Sequence, residues 1–395
     1  MTRTIRLSLI FILTFLLYIP VNAEETRDLE EGITYSDKEG GKWGLLPRLK
    51  YNPETNFGSG LKFKASNIYS TNLLTDLSFI YTLNEYQIYE FLIMDPKLLD
   101  GSYHLMLYFE YDIIPTQRFF GLGNSTVNKQ DIKGEVGDES NYYLEDFQTK
   151  VTFGKKIVEN FYIAFLLKLR SVDISEGDNG NLPSTTIKYS NVPGIEGGTK
   201  NSLGLALIYN SRDDQFRPTM GWRIKLLAEE TNKALYNDYD FTRYIFDIRR
   251  FINIFGKYNI IALRLQAEEV EGKAKEIPFY EMSRIGGPWS LRGYWDERFQ
   301  GRGKTLINAE YRFKVLEITD GLGFLDVVLD GLIFFDTGRV FLEHKDWYTG
   351  IAKDYKYSYG AGIRATFPPG MMATLDMGFS EEQTFSVYSN FGTVF

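Results

Sequence analysis

Cysteine is absent from the 395 residues, and histidine occurs only twice. A chain without cysteine has no disulfide, no thiolate metal site and no cysteine that could carry a lipid anchor. Long apolar runs are also scarce: beyond the N-terminal segment, no stretch approaches the roughly eighteen continuous apolar residues that a transmembrane helix requires. The sequence therefore excludes a disulfide-stabilised fold and a helical membrane domain.

The one long apolar run has the features of an export signal. Two arginines precede an apolar segment from Leu7 to Ile19, and the small-residue site Val21-Asn22-Ala23 follows. This order is typical of a secretory signal peptide. We predict a signal peptide over residues 1–23, followed by a short periplasmic N-terminal segment over residues 24–42.

Aromatic residues are abundant: they make up 16% of the chain, with 27 Tyr and 30 Phe, although the mean hydropathy is only -0.24. Apolar and polar residues alternate along many segments. In Thr305 to Phe313, for example, Ile307 and Tyr311 share one face while Asn308 and Glu310 share the other. This pattern is typical of a transmembrane β-barrel, whose side chains face lipid and lumen in turn. A soluble β-sandwich or propeller would explain the strands but not the export signal together with outward aromatic residues.

Segments with the length and alternation of strands number sixteen. They lie near 43–51, 57–66, 74–83, 86–94, 102–112, 143–155, 159–171, 201–210, 220–231, 240–251, 258–269, 304–314, 328–337, 356–367, 371–379 and 384–395. Short turns alternate with long loops such as 113–142 and 270–303, as they do on the periplasmic and outer faces of bacterial barrels. We predict an all-β fold, a transmembrane antiparallel β-barrel of about 16 strands over residues 43–395, in the outer membrane of a Gram-negative-type bacterium.

Three motifs resemble those of one barrel superfamily. Arg292-Gly293-Tyr294 lies in the long loop after the eleventh strand segment, Phe334-Phe335-Asp336-Thr337-Gly338 lies in a later strand, and Ser211 to Trp222 resembles a periplasmic turn. On these motifs the chain is similar to the BamA/TamA-like outer-membrane barrel superfamily, also called the bacterial surface antigen family. The motifs cover the second half of the barrel, and the first half rests on the strand pattern.

The resemblance implies that the long sixth extracellular loop folds back into the lumen. There Arg292 would meet Asp336, with Phe334 and Gly338 beside it. Strand parity independently points Asp336 inward, and a guanidinium and a carboxylate can pair in a bidentate fork. The alternative is that Arg292 is a solvated loop residue and Asp336 a turn former.

Both ends of the predicted barrel carry features of their own. Pro47 in the first strand lacks a ladder donor, and Gly392 weakens the last strand that must close against it, so we predict a weak seam between them. Phe391 and Phe395 share one face of the last strand, and this ending resembles the C-terminal signal that barrel-assembly machinery reads. The alternative is a lipid-facing edge strand without a signal.

The function stays open between two classes. Relatives that fold or secrete proteins carry periplasmic POTRA domains, for which residues 24–42 leave no room, so the resemblance is to short members that lack them. We predict assistance with insertion or translocation of protein or lipid through the seam, and the alternative is a passive diffusion channel or a structural protein. Expected partners are outer-membrane lipid and lipopolysaccharide, the barrel-assembly machinery during biogenesis and a periplasmic partner protein, without nucleic acid.

Enzymatic, cofactor and metal roles find little support in the sequence. A Ser/His hydrolase needs a paired histidine, but His104 falls on the inward face of its strand, where a lumen histidine needs no special reason. Residues 301–305 resemble a phosphate loop only superficially, because the first glycine and the following helix are missing. Asp173, Glu176 and Asp178 could hold a divalent cation, although solvated loop charge is favoured. We predict no catalytic residue, no cofactor and no metal.

Overall fold

The computed structural model describes residues 42–52, 56–66, 72–124, 139–177, 182–214, 217–256, 258–321, 325–347, 353–367, 371–391 and 395. The predicted signal peptide, nearly all of the predicted periplasmic segment and Gly392 lie outside these residues. The strands are β1 (Lys42–Asn52), β2 (Asn56–Ser66), β3 (Leu74–Thr82), β4 (Gln87–Lys97), β5 (Tyr103–Phe119), β6 (Ser140–Val158), β7 (Phe161–Glu176), β8 (Gly197–Asn210), β9 (Gly221–Thr231), β10 (Phe241–Asn253), β11 (Asn259–Gly272), β12 (Ser283–Ile285), β13 (Phe299–Gly301), β14 (Gly303–Gly321), β15 (Leu325–Phe341), β16 (Lys356–Phe367), β17 (Met371–Ser380) and β18 (Ser386–Phe391). Two single helical turns, α1 (Leu98–Gly101) and α2 (Thr185–Lys188), lie in connections.

One antiparallel sheet contains sixteen of these strands, in the order in which they follow along the chain. β12 and β13 form a separate two-stranded sheet, so that β11 pairs directly with β14. The first and last strands of the order, β1 and β18, lie beside each other with Cα atoms within 8 Å. The all-β barrel class and the predicted number of strands are thereby confirmed. Among the described residues, no ladder pairing joins β1 to β18.

Side chains alternate between the two faces of the sheet as the strand pattern predicts. On β10, Tyr244 is 46% exposed while Asp247 is 2% exposed, and on β11 Leu265 is exposed while Arg264 is buried. The exposed side chains are apolar or aromatic and the buried ones are charged, the reverse of a soluble core. This inversion is what lipid outside and a polar lumen inside require of a barrel wall.

Several strands are longer than the sequence pattern indicates, and the hairpin of β5 and β6 shows why. β5 continues to Phe119 and β6 begins at Ser140, and these two residues pair directly. A register shift between Ile114 and Gln117, on either side of Pro115, interrupts the alternation. Because parity changes there, the outer part of this hairpin could not be recognised from periodicity.

An aromatic cluster fills the lumen between this hairpin and the loop that follows β11. The ring of Phe279 in the loop lies 5.0 Å from that of Phe119 and 5.3 Å from that of Tyr142. All three side chains are buried. In the part of the chain that is described, no helix has the length and apolar character needed to span a membrane.

Candidate functional site: the loop bound inside the lumen

Residues 273–302, which connect β11 to β14, pack against the inward faces of the strands. From Ile277 to Tyr294 every residue is buried except Arg284, which is half-buried. The β12 and β13 strands close the loop on itself, with Ile285 opposite Phe299. A loop of this length that faced water would not bury its side chains in this way, so its contacts with the wall define the site.

Arg292 makes the central contact. Its Nε donates to Asp336 Oδ2 at 2.7 Å and its Nη2 donates to Asp336 Oδ1 at 2.9 Å. The guanidinium also lies 3.6 Å from the ring centroid of Phe334. Both members of the pair are fully buried. The geometry is the bidentate fork, which fixes orientation as well as charge.

Further charged groups surround the pair and balance it. Arg292 Nη1 donates to Glu310 Oε1 at 2.7 Å and to Asp376 Oδ2 at 3.2 Å. Glu310 in turn accepts from Arg312 at 2.8 Å and from Arg364 at 2.7 Å. Three arginines thus face three carboxylates from β14 to β17 and the loop. We call these six residues the arginine cluster: Arg292, Glu310, Arg312, Asp336, Arg364 and Asp376.

The next two motif residues attach the loop to the last strands. Gly293 has φ 94, a conformation that favours glycine, and a side chain there would approach the backbone of Phe379 to 3.1 Å. The hydroxyl of Tyr388, on β18, accepts from the Gly293 amide at 3.0 Å and donates to the Tyr294 carbonyl at 2.6 Å. Ser380 Oγ donates to the Gly293 carbonyl at 2.6 Å. The motif therefore touches β17 and β18 as well as Asp336.

Gly338 allows the loop to lie close to the wall. A Cβ at this position would approach Ile285 of β12 to 3.2 Å and the Thr305 carbonyl to 2.9 Å. Tyr294, also fully buried, packs against Phe299 at 5.3 Å and donates its hydroxyl to the Tyr357 carbonyl at 3.2 Å. Both motif glycines are thus positions of close backbone approach.

Glu281 forms a second charged anchor, which the sequence analysis missed. It accepts from Arg170 at 2.5 Å, from Arg243 at 2.6 Å and from Lys200 at 3.1 Å, on β7, β10 and β8. Strand alternation points Arg170 and Arg243 into the lumen, so the available signal was the need of these buried cations for a carboxylate. The loop is therefore attached to one part of the wall by a cation, Arg292, and to another part by a carboxylate, Glu281.

The remaining predicted residues lie at the ends of the sheet. Pro47 lies on β1 opposite Leu61 of β2, and Phe391 ends β18 opposite Ala373. Phe395 does not face lipid, so the alternative of a lipid-facing last residue is wrong. Its ring is 6% exposed and lies 6.0 Å from Phe251, within a cluster on the inward faces of β10 and β11.

Among the described residues, no group of three or more histidine and acidic side chains could hold a metal ion. Asp178, one of the three loop acids considered for a cation, lies outside those residues. His104 is buried on the inward face of β5, as parity predicts, with its ring 6.4 Å from that of Tyr162.

A sixteen-stranded sheet with lipid-type side chains outside, charged side chains inside and a loop bound in the lumen defines a transmembrane β-barrel of the outer-membrane class. The Omp85 superfamily domain matches residues 56–389. The chain belongs to the Omp85 superfamily, and it is an outer-membrane protein of the Gram-negative type, as the motifs predicted.

Solved structures with the same fold include three barrels. BamA from Haemophilus ducreyi lacking POTRA domains 1-3 is 14% identical, with a TM-score of 0.59 over 90% of this chain and 70% of that one. CdiB from Escherichia coli is 9% identical, with a TM-score of 0.62 over 90% and 63%. CdiB from Acinetobacter baumannii is 12% identical, with a TM-score of 0.53 over 88% and 59%. The chain thus spans about three fifths of the CdiB proteins, and the likeness concerns the fold. Comparison with curated proteins gave no match.

Proposed function

We propose that this barrel assists the insertion or translocation of protein or lipid at the outer membrane through the seam between β1 and β18. The Omp85 superfamily includes members that fold or secrete proteins, which supports the class of activity. The observation that carries the proposal for this chain is the weak attachment of β18.

β18 is the shortest strand of the sixteen-stranded sheet as described. It has six residues, and its ladder with β17 runs only from Gly378↔Ser386 to Ala373↔Phe391. On its other side, the described residues show no ladder with β1. On that neighbouring strand, Pro47 supplies no backbone donor. A strand held by few hydrogen bonds on one side opens at lower free energy than a strand paired on both sides.

The sixth loop supplies the control element in this proposal. Tyr388 of β18 makes two hydrogen bonds to the backbone of the Arg292-Gly293-Tyr294 motif. The loop therefore reaches β18 from the lumen, at the strand that has to move. Opening of the seam would break or displace these two hydrogen bonds. In this proposal the loop therefore stabilises β18 in the closed position.

A reversible crosslink tests the seam. The native chain has no cysteine, so a single engineered disulfide locks one chosen strand pair. Cysteine at Leu45 of β1 is scanned against positions of β18 until a bond forms, since Cα separations of about 4.4 to 6.8 Å are needed. Folding of a small barrel protein and movement of a labelled lipid are then measured in proteoliposomes. We expect the oxidised protein to lose activity and to recover it on reduction.

The matched control places the lock in a continuous ladder. Leu226 and Phe246 lie directly opposite each other on β9 and β10, and a disulfide there should leave activity unchanged. Full activity with a demonstrated β1 to β18 crosslink would contradict the proposal. Equal ion conductance in the locked and unlocked states, without any insertion or lipid movement, would favour the passive channel instead.

A further inference from the structure

The lumen contains a cavity whose lining has more cationic than acidic side chains. It lies between the sixth loop and the wall formed by β6 to β11, and its volume is about 120 Å³. Ten Lys and Arg side chains line it, but only four Asp and Glu side chains do. The arginine cluster, by contrast, has equal numbers of both. Two of these cations also pair with carboxylates outside the lining, Arg170 with Asp146 and Arg284 with Glu297. The lining nevertheless carries more cations than carboxylates, and an anion bound there would lower its electrostatic free energy.

The four carboxylates are already shared among the cations. Glu281 accepts from three of them, and Asp247 accepts from Arg223, Arg249 and Arg264 at 2.8 to 3.2 Å. Glu229 pairs with Lys200, while Glu268 pairs with Arg243 and Lys304. Every carboxylate of the lining therefore already accepts from at least one cation.

Lys150 and Lys168 are the two lysines of the lining on which the proposal rests, because neither forms an ion pair with the four carboxylates. They lie directly opposite each other on β6 and β7, and both line the cavity. The charged neighbours of Lys168 include the cations Lys200, Lys150 and Arg170 and the carboxylates Glu281 and Glu229. Within the described part of the chain, no carboxylate lies within ion-pair distance of either lysine. Like charges directly opposite each other weaken a strand pair.

We propose that the cavity binds a small oxyanion of the phosphate class between Lys150 and Lys168. A tetrahedral dianion accepts hydrogen bonds from several ammonium groups at once and converts the repulsion of the opposed lysines into attraction. The volume suits such a ligand, since one water molecule requires roughly 10 to 15 Å³ by the same measure. The chemistry is shared by free phosphate and by the phosphomonoester of a headgroup.

Calorimetric titration of the folded, detergent-solubilised protein with inorganic phosphate tests this site. We expect one saturable site, and an increase in Kd of about tenfold for either Lys150→Gln or Lys168→Gln, because each removes one charge-assisted hydrogen bond. The matched control is Lys156→Gln, the same chemical change at an exposed position of β6. It should bind phosphate like the wild type.

The unfolding temperature provides a second measurement, in which Lys168→Gln is not expected to harm the protein when phosphate is absent. Without phosphate, Lys168→Gln should unfold at the same temperature as the wild type or above it, because it relieves a like-charge pair. At the same phosphate concentration, the wild type and Lys156→Gln should gain more stability than Lys168→Gln. Loss of stability in Lys168→Gln without phosphate would overturn the account of the opposed lysines.

A parallel titration with glycerol 3-phosphate distinguishes the two sources of the anion. Tighter binding than that of inorganic phosphate assigns the site to a phosphomonoester headgroup, and weaker binding assigns it to the free anion. Absence of saturable binding, or equal phosphate affinity in the wild type and in Lys168→Gln, would overturn the proposal. None of these measurements depends on transport through the seam.

Discussion

Replacing Arg292 by alanine tests whether charge holds the sixth loop in the lumen. The fully buried guanidinium bonds to Asp336, Glu310 and Asp376. Its removal leaves these three carboxylates with only two arginines. Breaking a buried ion pair by removing one partner costs about 3 to 5 kcal/mol, and we expect the free energy of unfolding to fall by that amount.

Asp336→Ala should cost less than Arg292→Ala. In this variant Arg292 keeps its bonds to Glu310 and Asp376, so we expect a loss of about 1.5 to 3 kcal/mol, as for hydrogen bonds to charged groups. In the double variant the bidentate contact is lost only once. Its cost should therefore fall short of the sum of the single costs by about 1 to 3 kcal/mol.

The assay is urea unfolding of the protein folded into lipid vesicles, followed by tryptophan fluorescence, since Trp289 and Trp295 lie in the loop. Heat-modifiable gel mobility in native membranes provides an independent measure. The control combines Arg292→Ala with Asp76→Ala, because Asp76 pairs with Lys62 on another part of the wall and the two costs should add. Simple additivity for Arg292 and Asp336 would refute the coupling.

Two further predictions concern the outer loops and the last residue. Hydrogen bonding to Glu269 raises the pKa of His344, so this contact stabilises its loop below the unfolded pKa of about 6.5 and is lost as the pH rises through the folded value. With only two histidines to assign, an NMR titration should show Glu269→Gln returning the pKa towards 6.5, and an unchanged titration would contradict the prediction. Phe395→Lys should lower outer-membrane levels, because it removes about 1.5 to 3 kcal/mol of apolar burial and brings a cation towards Arg312. Phe395→Leu is the matched control, and a wild-type yield of heat-modifiable Phe395→Lys protein would be inconsistent with this role.

The strands could be predicted from the sequence because each strand faces lipid on one side and the polar lumen on the other. Lipid and the lumen select opposite residue types, and the chain shows this in single positions such as Tyr244 outside and Asp247 inside. The same parity pointed Asp336 inward, although its pairing with Arg292 entered through the family resemblance. Periodicity predicts the number of strands and the side to which each side chain points, since both are local properties of the chain.

Contacts within the lumen depend on distant segments and carry no periodic signal. Glu281 lies in a loop without alternation, and its partners are on strands that precede it by 38 to 111 residues. The short β12 and β13 strands likewise form only because the loop is folded on itself. Phe395 escaped prediction for a related reason: the last described ladder pair ends at Phe391, so strand parity no longer fixes the side on which a later residue lies.

The positions of the two anchors determine what can move if the seam opens. The partners of Glu281 lie on β7, β8 and β10, and those of Arg292 lie on β14, β15 and β17, so both anchors attach the loop to strands that are paired on both sides. Its attachment to β18 is through the two hydrogen bonds of Tyr388 described above. Because the Arg292 fork does not involve β18, separation of that strand requires the loss of the Tyr388 bonds and of the short β17 ladder, while the loop stays in place. Under the proposed function, the loop is thus a fixed support against which β18 closes, and the arginine cluster preserves that support in both states.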